Sequence, residues 1–262
     1  MRLINKHLKY LYKINKYYFN LTIKGKSDII NILHSMDVKE KDKIRIGKNS
    51  DGGYILLNDF YNVKIAYSFG IANEISFEKD LADKNINVFM YDHSINSLPY
   101  NNSRFYWKKI CLVAERNENK NMKTLNELII ENNHSNEKNM ILKLDIESNE
   151  WNIFKKLTTN TLLQFKYIVV EFHFNNKNKY DYLDIIKIIK NTHQIFHLHC
   201  NNCVPDLISF DGYYICSLLE ISFIIKEGYS FIDSTSLFPI NGLDYKNCKN
   251  KPEIDYLLNI FL

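Results

Sequence analysis

Two short stretches place acids and an imidazole where buried strands should stop. "MILKLDIESNEW" (140–151) runs apolar residues up to Asp145 and Glu147, and "YIVVEFHF" (167–174) closes on Glu171 and His173. Core stability gives no reason for acids at the mouth of a strand, because burying a charge is costly unless it is paired. Proton transfer is the chemistry such groups support. His173 is the first choice of general base, since imidazole titrates near neutrality. Glu171 or Asp145 would orient it, and Asp145 is the alternative base. Asp145, Glu171 and His173 would also suit Mg²⁺ or Mn²⁺ as ligands; a divalent metal is the less favoured use of the three.

Other apolar runs end in the same way. "KIAYSF" leads into Phe69, Gly70 and Ile71; "NVFMY" leads into Asp92 and His93; "IFHLHC" carries His197 and His199 and leads into Asn201 and Asn202; "LLEISFII" contains Glu220. Residues two apart on a strand share a face. Several strands that each present such groups at one edge predict a shared polar cleft. Gly70 would let backbone approach a ligand, but "SFGIANE" holds one glycine where a dinucleotide fingerprint wants three. That weakens an NAD(P)-dependent oxidoreductase. A carboxylate such as Asp92 suits two ribose hydroxyls, and its structural alternative is a cap on the next segment. One glycine, a ribose carboxylate and no phosphate cradle suit S-adenosylmethionine (SAM) better than a dinucleotide. In "FHLHCNNC", His197, His199, Cys200 and Cys203 are zinc-ligand types. Alternation sets Cys200 on the face opposite the two histidines, so zinc is not expected there.

Positioning these groups requires a sheet. The runs "KIAYSF", "NVFMY", "WKKICLV", "MILKLDI", "YIVVEFHF", "IFHLHC" and "LLEISFII" alternate with helical patterns at "NEISFEKDLADK", "TLNELIIENN", "NEWNIFKKL" and "YDYLDIIKIIKNT". That alternation predicts an α/β, Rossmann-like fold: a mostly parallel seven-stranded sheet with helices on both faces. Before it, "KIRIGKNSDGGYILL" reads as a β-hairpin turning at Asp51, Gly52 and Gly53. Residues 1–40 read as a helical extension in two pieces, the second capped by Ser27. Residues 41–262 read as one domain.

Arg2, Lys6, Lys9, Lys13, Lys16, Lys24 and Lys26 stand in the first 26 residues with no acid. The net charge of the whole chain is only +4, so the remainder is slightly acidic. That composition excludes a body that binds nucleic acid by charge. It leaves the tail as a solvated helix face, or as a contact with a peripheral membrane surface or a glycan-assembly partner. A homo-oligomer is left open. No apolar run nears the ~20 residues a membrane span needs, and no signal-peptide pattern opens the chain. The five cysteines are then expected as reduced thiols in a cytoplasm.

Taken in order, "RIGKNSDGGYILL", "YSFGIANEISFE", "LKLDIESNEW", "VVEFHF", "HLHCNN", "LEISFI" and "LDYKNCKNKPEI" resemble FkbM-like SAM-dependent methyltransferases, in the branch with an Arg-x-Gly…Asp-Gly-Gly-Tyr motif. The resemblance covers roughly residues 43–255. It implies a class I methyltransferase fold and O-methylation of a sugar or other small hydroxylated molecule. A nucleotide-linked sugar of a surface-glycan (capsule or lipopolysaccharide) pathway is the expected acceptor. By position it implies that Asp51, Gly52, Gly53 and Tyr54 border the cofactor and that Phe69, Gly70 and Ile71 lie under its methionine part. Asp92, with His93 beside it, would hold the ribose. Asp145 would sit near the cofactor's amino group or the transferring methyl, and His173, His199, Asn201, Asn202 and Glu220 would serve the acceptor side. Ala72, Asn73, Glu74 and Cys200 depart from the pattern, where glycines are common. A non-catalytic binding module recruited by the basic tail is the remaining alternative.

Overall fold

The computed structural model describes residues 28–116, 118–177, 179–204 and 206–262. The basic tail and the N-cap role of Ser27 lie outside the described residues. In chain order the elements are α1 (Asp28–Leu33), β1 (Met36–Val38), the hairpin strands β2 (Lys43–Ile46) and β3 (Tyr54–Leu57), and β4 (Ile65–Phe69). Then come α2 (Ser76–Asp83), β5 (Asn87–Tyr91), β6 (Phe105–Lys108), β7 (Cys111–Leu112), β8 (Met122–Lys123), α3 (Leu125–Glu131) and β9 (Met140–Leu144). They are followed by α4 (Glu150–Lys156), α5 (Thr159–Leu162), β10 (Phe165–His173), α6 (Lys179–Lys190) and β11 (His193–Cys200). The chain ends with β12 (Leu207–Phe210), β13 (Tyr213–Cys216), β14 (Leu218–Ile225), β15 (Phe231–Asp233) and a 3₁₀ turn, Asp255–Phe261.

Seven strands form the central sheet in the order β11-β14-β10-β9-β4-β5-β6. The five from β10 to β6 run parallel, and β14 lies antiparallel between β10 and β11. The sheet is Rossmann-like, with one reversed strand. Its strands are apolar on both faces because helices cover both. Alternation divides the core accordingly. Tyr67, Phe69, Leu142, Leu144, Val170 and Phe172 pack on one side. Ala66, Ile141, Tyr167 and Val169 pack on the other, with Phe77 and Leu81 of α2. Local signals set the helix starts. Thr124 and Glu127 form a reciprocal capping box on α3, which satisfies two orphan N–H donors.

The third expected run is displaced. The sheet strand is Phe105–Lys108, whose side chains are half-buried or exposed at the sheet edge. The chain turns at Lys109, and Cys111–Leu112 leaves to pair with Met122–Lys123. An edge strand lacks the continuous apolar signature of an inner one, so the more apolar "CLV" drew the boundary too far on. A further hairpin, β12–β13, turns at Asp211 and Gly212, both with positive φ. Such a pair is the usual signal of a two-residue turn.

The cysteines differ from expectation. Cys200 is bonded to Cys216 and Cys203 to Cys248, leaving Cys111 free. The Cα separations of 5.9 and 5.1 Å suit a bridge. Partners 16 and 45 residues apart meet only through folding, so spacing gave no sign of them. The ground for expecting a reducing compartment is thereby removed. Among the described residues, no helix is long and apolar enough to cross a membrane.

Candidate active site

Strand register assembles the polar rim. Phe69 pairs with Leu144, and Val170 pairs with Leu144 from the other side. The next residues, Gly70, Asp145 and Glu171, therefore meet at the carboxyl ends of β4, β9 and β10. Glu171 pairs with Glu220, and Glu220 with His199. One row of side chains, Asp145, Glu171, Glu220 and His199, thus crosses four adjacent strands on one face. A cleft of about 600 Å³ opens over part of this row. Its lining includes Asp51, Phe69, Gly70, Ile71, Asp92, His93, Asp145, Glu171, His173 and Asn201.

The loop after β4 is held from two sides. Asp92 accepts hydrogen bonds from the Ile71 and Ala72 amides (2.9 and 2.8 Å) and from the Ser94 amide and hydroxyl (2.7 and 2.6 Å). Burial pushes the Asp92 carboxyl up, but these donors outweigh it and hold it below the usual range. Both oxygens are engaged, so Asp92 first of all pins the Gly70 loop. Gly70 has φ +73°, and a Cβ there would stand 1.5 Å from the Asp145 carbonyl oxygen. The close approach that requires glycine is therefore to the protein's own backbone.

Lys143 was not singled out by sequence, although a lysine inside "MILKL" was the available signal. It is 4% exposed. Its Nζ donates to the Gly70 carbonyl at 2.5 Å and lies 3.8 Å from the Asp145 carboxylate. Asp145 also accepts from the Tyr54 hydroxyl at 3.1 Å. Burial raises the Asp145 carboxyl, with Lys143, Tyr54 and His173 opposing it. Glu78 of α2 is buried against Ser68 beneath the same loop, and burial raises it too.

Glu171 accepts from Asn201 Nδ2 at 2.7 Å. Burial, followed by the charges of Asp145 and Glu220, pushes its carboxyl well above the ordinary value. His173 sits among three acids. Its Nδ1 is 3.4 Å from Glu150, and its Nε2 is 3.4 Å from Glu147 and 3.6 Å from Glu171. Burial alone would lower its pKa, but Glu150, Glu171 and Glu147 prevail and raise it to about 9. The surrounding acids therefore favour the protonated form of His173. Glu147 and Ser148 both have positive φ, which bends the chain sharply between β9 and α4 and swings Glu147 toward His173.

The remaining expected residues lie behind the cleft wall. Arg45 donates to the carbonyls of Lys48, Ser50 and Leu243 (2.7, 2.7 and 3.0 Å), wrapping the hairpin loop. A Cβ on Gly53 would fall 2.8 Å from that guanidinium. The Arg-x-Gly…Asp-Gly-Gly-Tyr stretch is therefore a folded clamp that sets Asp51 and Gly52 on the lining, with Gly53 and Tyr54 behind them. Asn202 is buried and donates to the carbonyls of Cys248, Lys251 and Pro252. His199 and Glu220 are buried against each other. Asn247, which carried no signal in an Asn-rich loop, bridges Glu220 (2.7 Å) and Asp51 (3.1 Å).

A mostly parallel sheet of this order, with a ligand-sized cleft at the carboxyl ends of its strands, defines a Rossmann-like fold whose cleft lies where such sheets bind ligands. Residues 47–197 match the family described as the methyltransferase FkbM domain. The match spans more than half of the chain, and the protein belongs to the FkbM methyltransferase family. No curated protein matches it.

Proposed function

We propose that the chain transfers a methyl group from SAM to a hydroxyl of a sugar, with a nucleotide-linked sugar of a surface-glycan pathway as the acceptor class. The observation that carries the methyl-transfer reading is the convergence of Asp145, Glu171 and His173 on one cleft beside the Gly70 loop. The acceptor class rests on the family resemblance alone. The donor set suits a cationic cofactor: acids crowd the cleft, and Asp51, His93 and the Gly70 loop border it. The cofactor would supply an electrophilic methyl on a sulfonium, so the protein's task is positioning and proton removal.

Asp145 is assigned as the base. It lines the cleft, and its raised affinity for a proton makes it a better acceptor than an ordinary carboxylate. Tyr54 and Lys143 fix its orientation. His173 lies against Glu150, Glu147 and Glu171 and offsets the crowding of acids beside the base. Asn201, tied to Glu171, faces the acceptor side, and Asp51, tied to Asn247, borders the cofactor. In a second reading, Asp145, Glu171 and His173 hold a divalent ion, since their ligand atoms lie within 4.8 Å of one another.

Calorimetry with S-adenosylhomocysteine, followed by a methyl-transfer screen on sugar nucleotides, tests the reading. Micromolar binding and turnover on a sugar hydroxyl are expected. Failure to bind the cofactor product would overturn the reading and favour a binding module. Turnover that survives chelation removes the ion.

A further inference from the structure

A second group of titratable side chains lies behind the cleft wall and is fully covered. His199 on β11 and Asp255 at the start of the 3₁₀ turn are 2% and 0% exposed, and the Asp244 side chain is equally enclosed. One ligand atom from each lies within 4.8 Å of the others. His199 Nε2 and Asp255 Oδ2 are buried and make no hydrogen bond. They face each other at 3.4 Å. Two ligands bound at about 2.0–2.1 Å to a tetrahedral ion stand about 3.3–3.4 Å apart, so this separation fits a shared metal.

The surroundings point the same way. Nδ1 of His199 contacts a Glu220 oxygen at 3.0 Å. A metal-bound histidine characteristically donates its second N–H to a carboxylate in this manner, which fixes its tautomer and aims the other nitrogen. Asp244 accepts from His197 Nε2 at 2.8 Å and from the Ile240 amide at 2.6 Å. Each carboxylate oxygen keeps a second lone pair. Three carboxylates, Glu220, Asp244 and Asp255, meet here. Arg45, the guanidinium that feels Glu220 and Asp244 at a distance, spends its hydrogen bonds on backbone carbonyls. Burying these carboxylates calls for a positive charge among them, which either a protonated His199 or a bound metal ion supplies.

We propose that His199 Nε2, Asp244 and Asp255 hold one divalent transition-metal ion, zinc foremost, which fastens the C-terminal segment to the sheet behind the cleft. Imidazole with carboxylates suits zinc, and Mn²⁺ and Fe²⁺ after it. The cysteines of "HLHCNNC" take no part, being committed to disulfides. The ion would stabilise the fold from a site separate from the chemistry. It would act on the cleft only through Glu220, Asn247 and Asp51.

The test is elemental analysis of the full chain, expressed with zinc, manganese and iron supplied and purified without chelator. About one equivalent of a single metal per chain is expected, and stripping it with dipicolinate should lower the melting temperature. Cobalt(II) added to stripped protein should give visible d–d bands of a low-symmetry site. Asp255→Asn and Asp244→Asn should each lose that equivalent, whereas Glu171→Gln should keep it. Two results overturn the proposal: wild-type protein that is folded and metal-free under all three supplements, or metal lost in Glu171→Gln and kept in Asp255→Asn. The second would move the ion to the cleft. Because the wild-type measurement needs no variant, a poorly folding mutant leaves the test intact.

Discussion

Two clusters, each of two carboxylates and one imidazole, stand at either end of one row of the sheet. Asp145, Glu171 and His173 form one; His199, Asp244 and Asp255 form the other, with Glu220 between. The first opens on a cleft. The second is sealed by the segment that runs from Asp244 to the terminal 3₁₀ turn and is held by the Cys203–Cys248 bridge and the Asn202 clamp. The covering segment, and not the residue types, separates a reactive group from a structural one. Asp145 keeps a partly exposed carboxylate held by a hydroxyl and an ammonium, while Asp255 spends one oxygen on the Cys200 amide at 2.5 Å.

The sharpest way to break this contrast is to neutralise one acid in each cluster. Asp145→Asn keeps the volume and the Tyr54 partner and removes the proposed base. Turnover should fall about 10²–10⁴-fold with the melting temperature nearly unchanged, as steady-state kinetics and thermal unfolding would read. Asp255→Ala should do the reverse. It leaves the buried His199 Nε2 without the carboxylate it faces at 3.4 Å and removes one proposed ligand of the ion. Removing one partner of a buried pair costs about 3–5 kcal/mol of stability, measurable by denaturant unfolding. Equal stability losses in the two variants would erase the distinction.

The sheet was legible because its strands are buried on both faces and read as continuous apolar runs. Asp145, Glu171 and His173 were legible because a strand end that turns acidic contradicts the core pattern. What alternation could not provide was cover. His199 and Glu220 share the face and level of Glu171, and nothing in "HLHCNN" or "LLEISFII" shows that residues 244–255 will close over them. Lys143 is hidden in the sequence for a related reason. It is a single break in an apolar strand in a lysine-rich chain, and its meaning lies in the Gly70 carbonyl, far away in sequence.

The cleft histidine offers a subtler test. His173 has its proton affinity raised from 6.5 to about 9 in the folded chain. The folded state therefore holds this proton more tightly than the unfolded state. The stability gained is fully present below about pH 6.5 and is lost as pH rises through about 9. Glu171, raised by burial and its acidic neighbours, acts in the same sense. Melting temperature should fall across that window in the wild type and flatten there in His173→Gln. The variant's turnover should drop less than that of Asp145→Asn. A larger drop, with an activity limb moving with the histidine, would return the base to His173.

Tyr54→Phe should have the smallest effect and the most specific one. The hydroxyl makes one 3.1 Å bond to Asp145, while the ring packs edge-on against Phe77 at 5.4 Å between centroids. The ring stays when the hydroxyl goes, so stability should change by no more than about 0.5–1.5 kcal/mol. Asp145 then loses a donor that favours its charged form, and its proton affinity rises further. The acid limb of the rate profile should therefore move to higher pH, with the plateau reduced only a few-fold. An unmoved limb would mean that the group titrating in catalysis is not Asp145, and the contrast between an open, reactive carboxylate and a sealed one would need another residue to carry it.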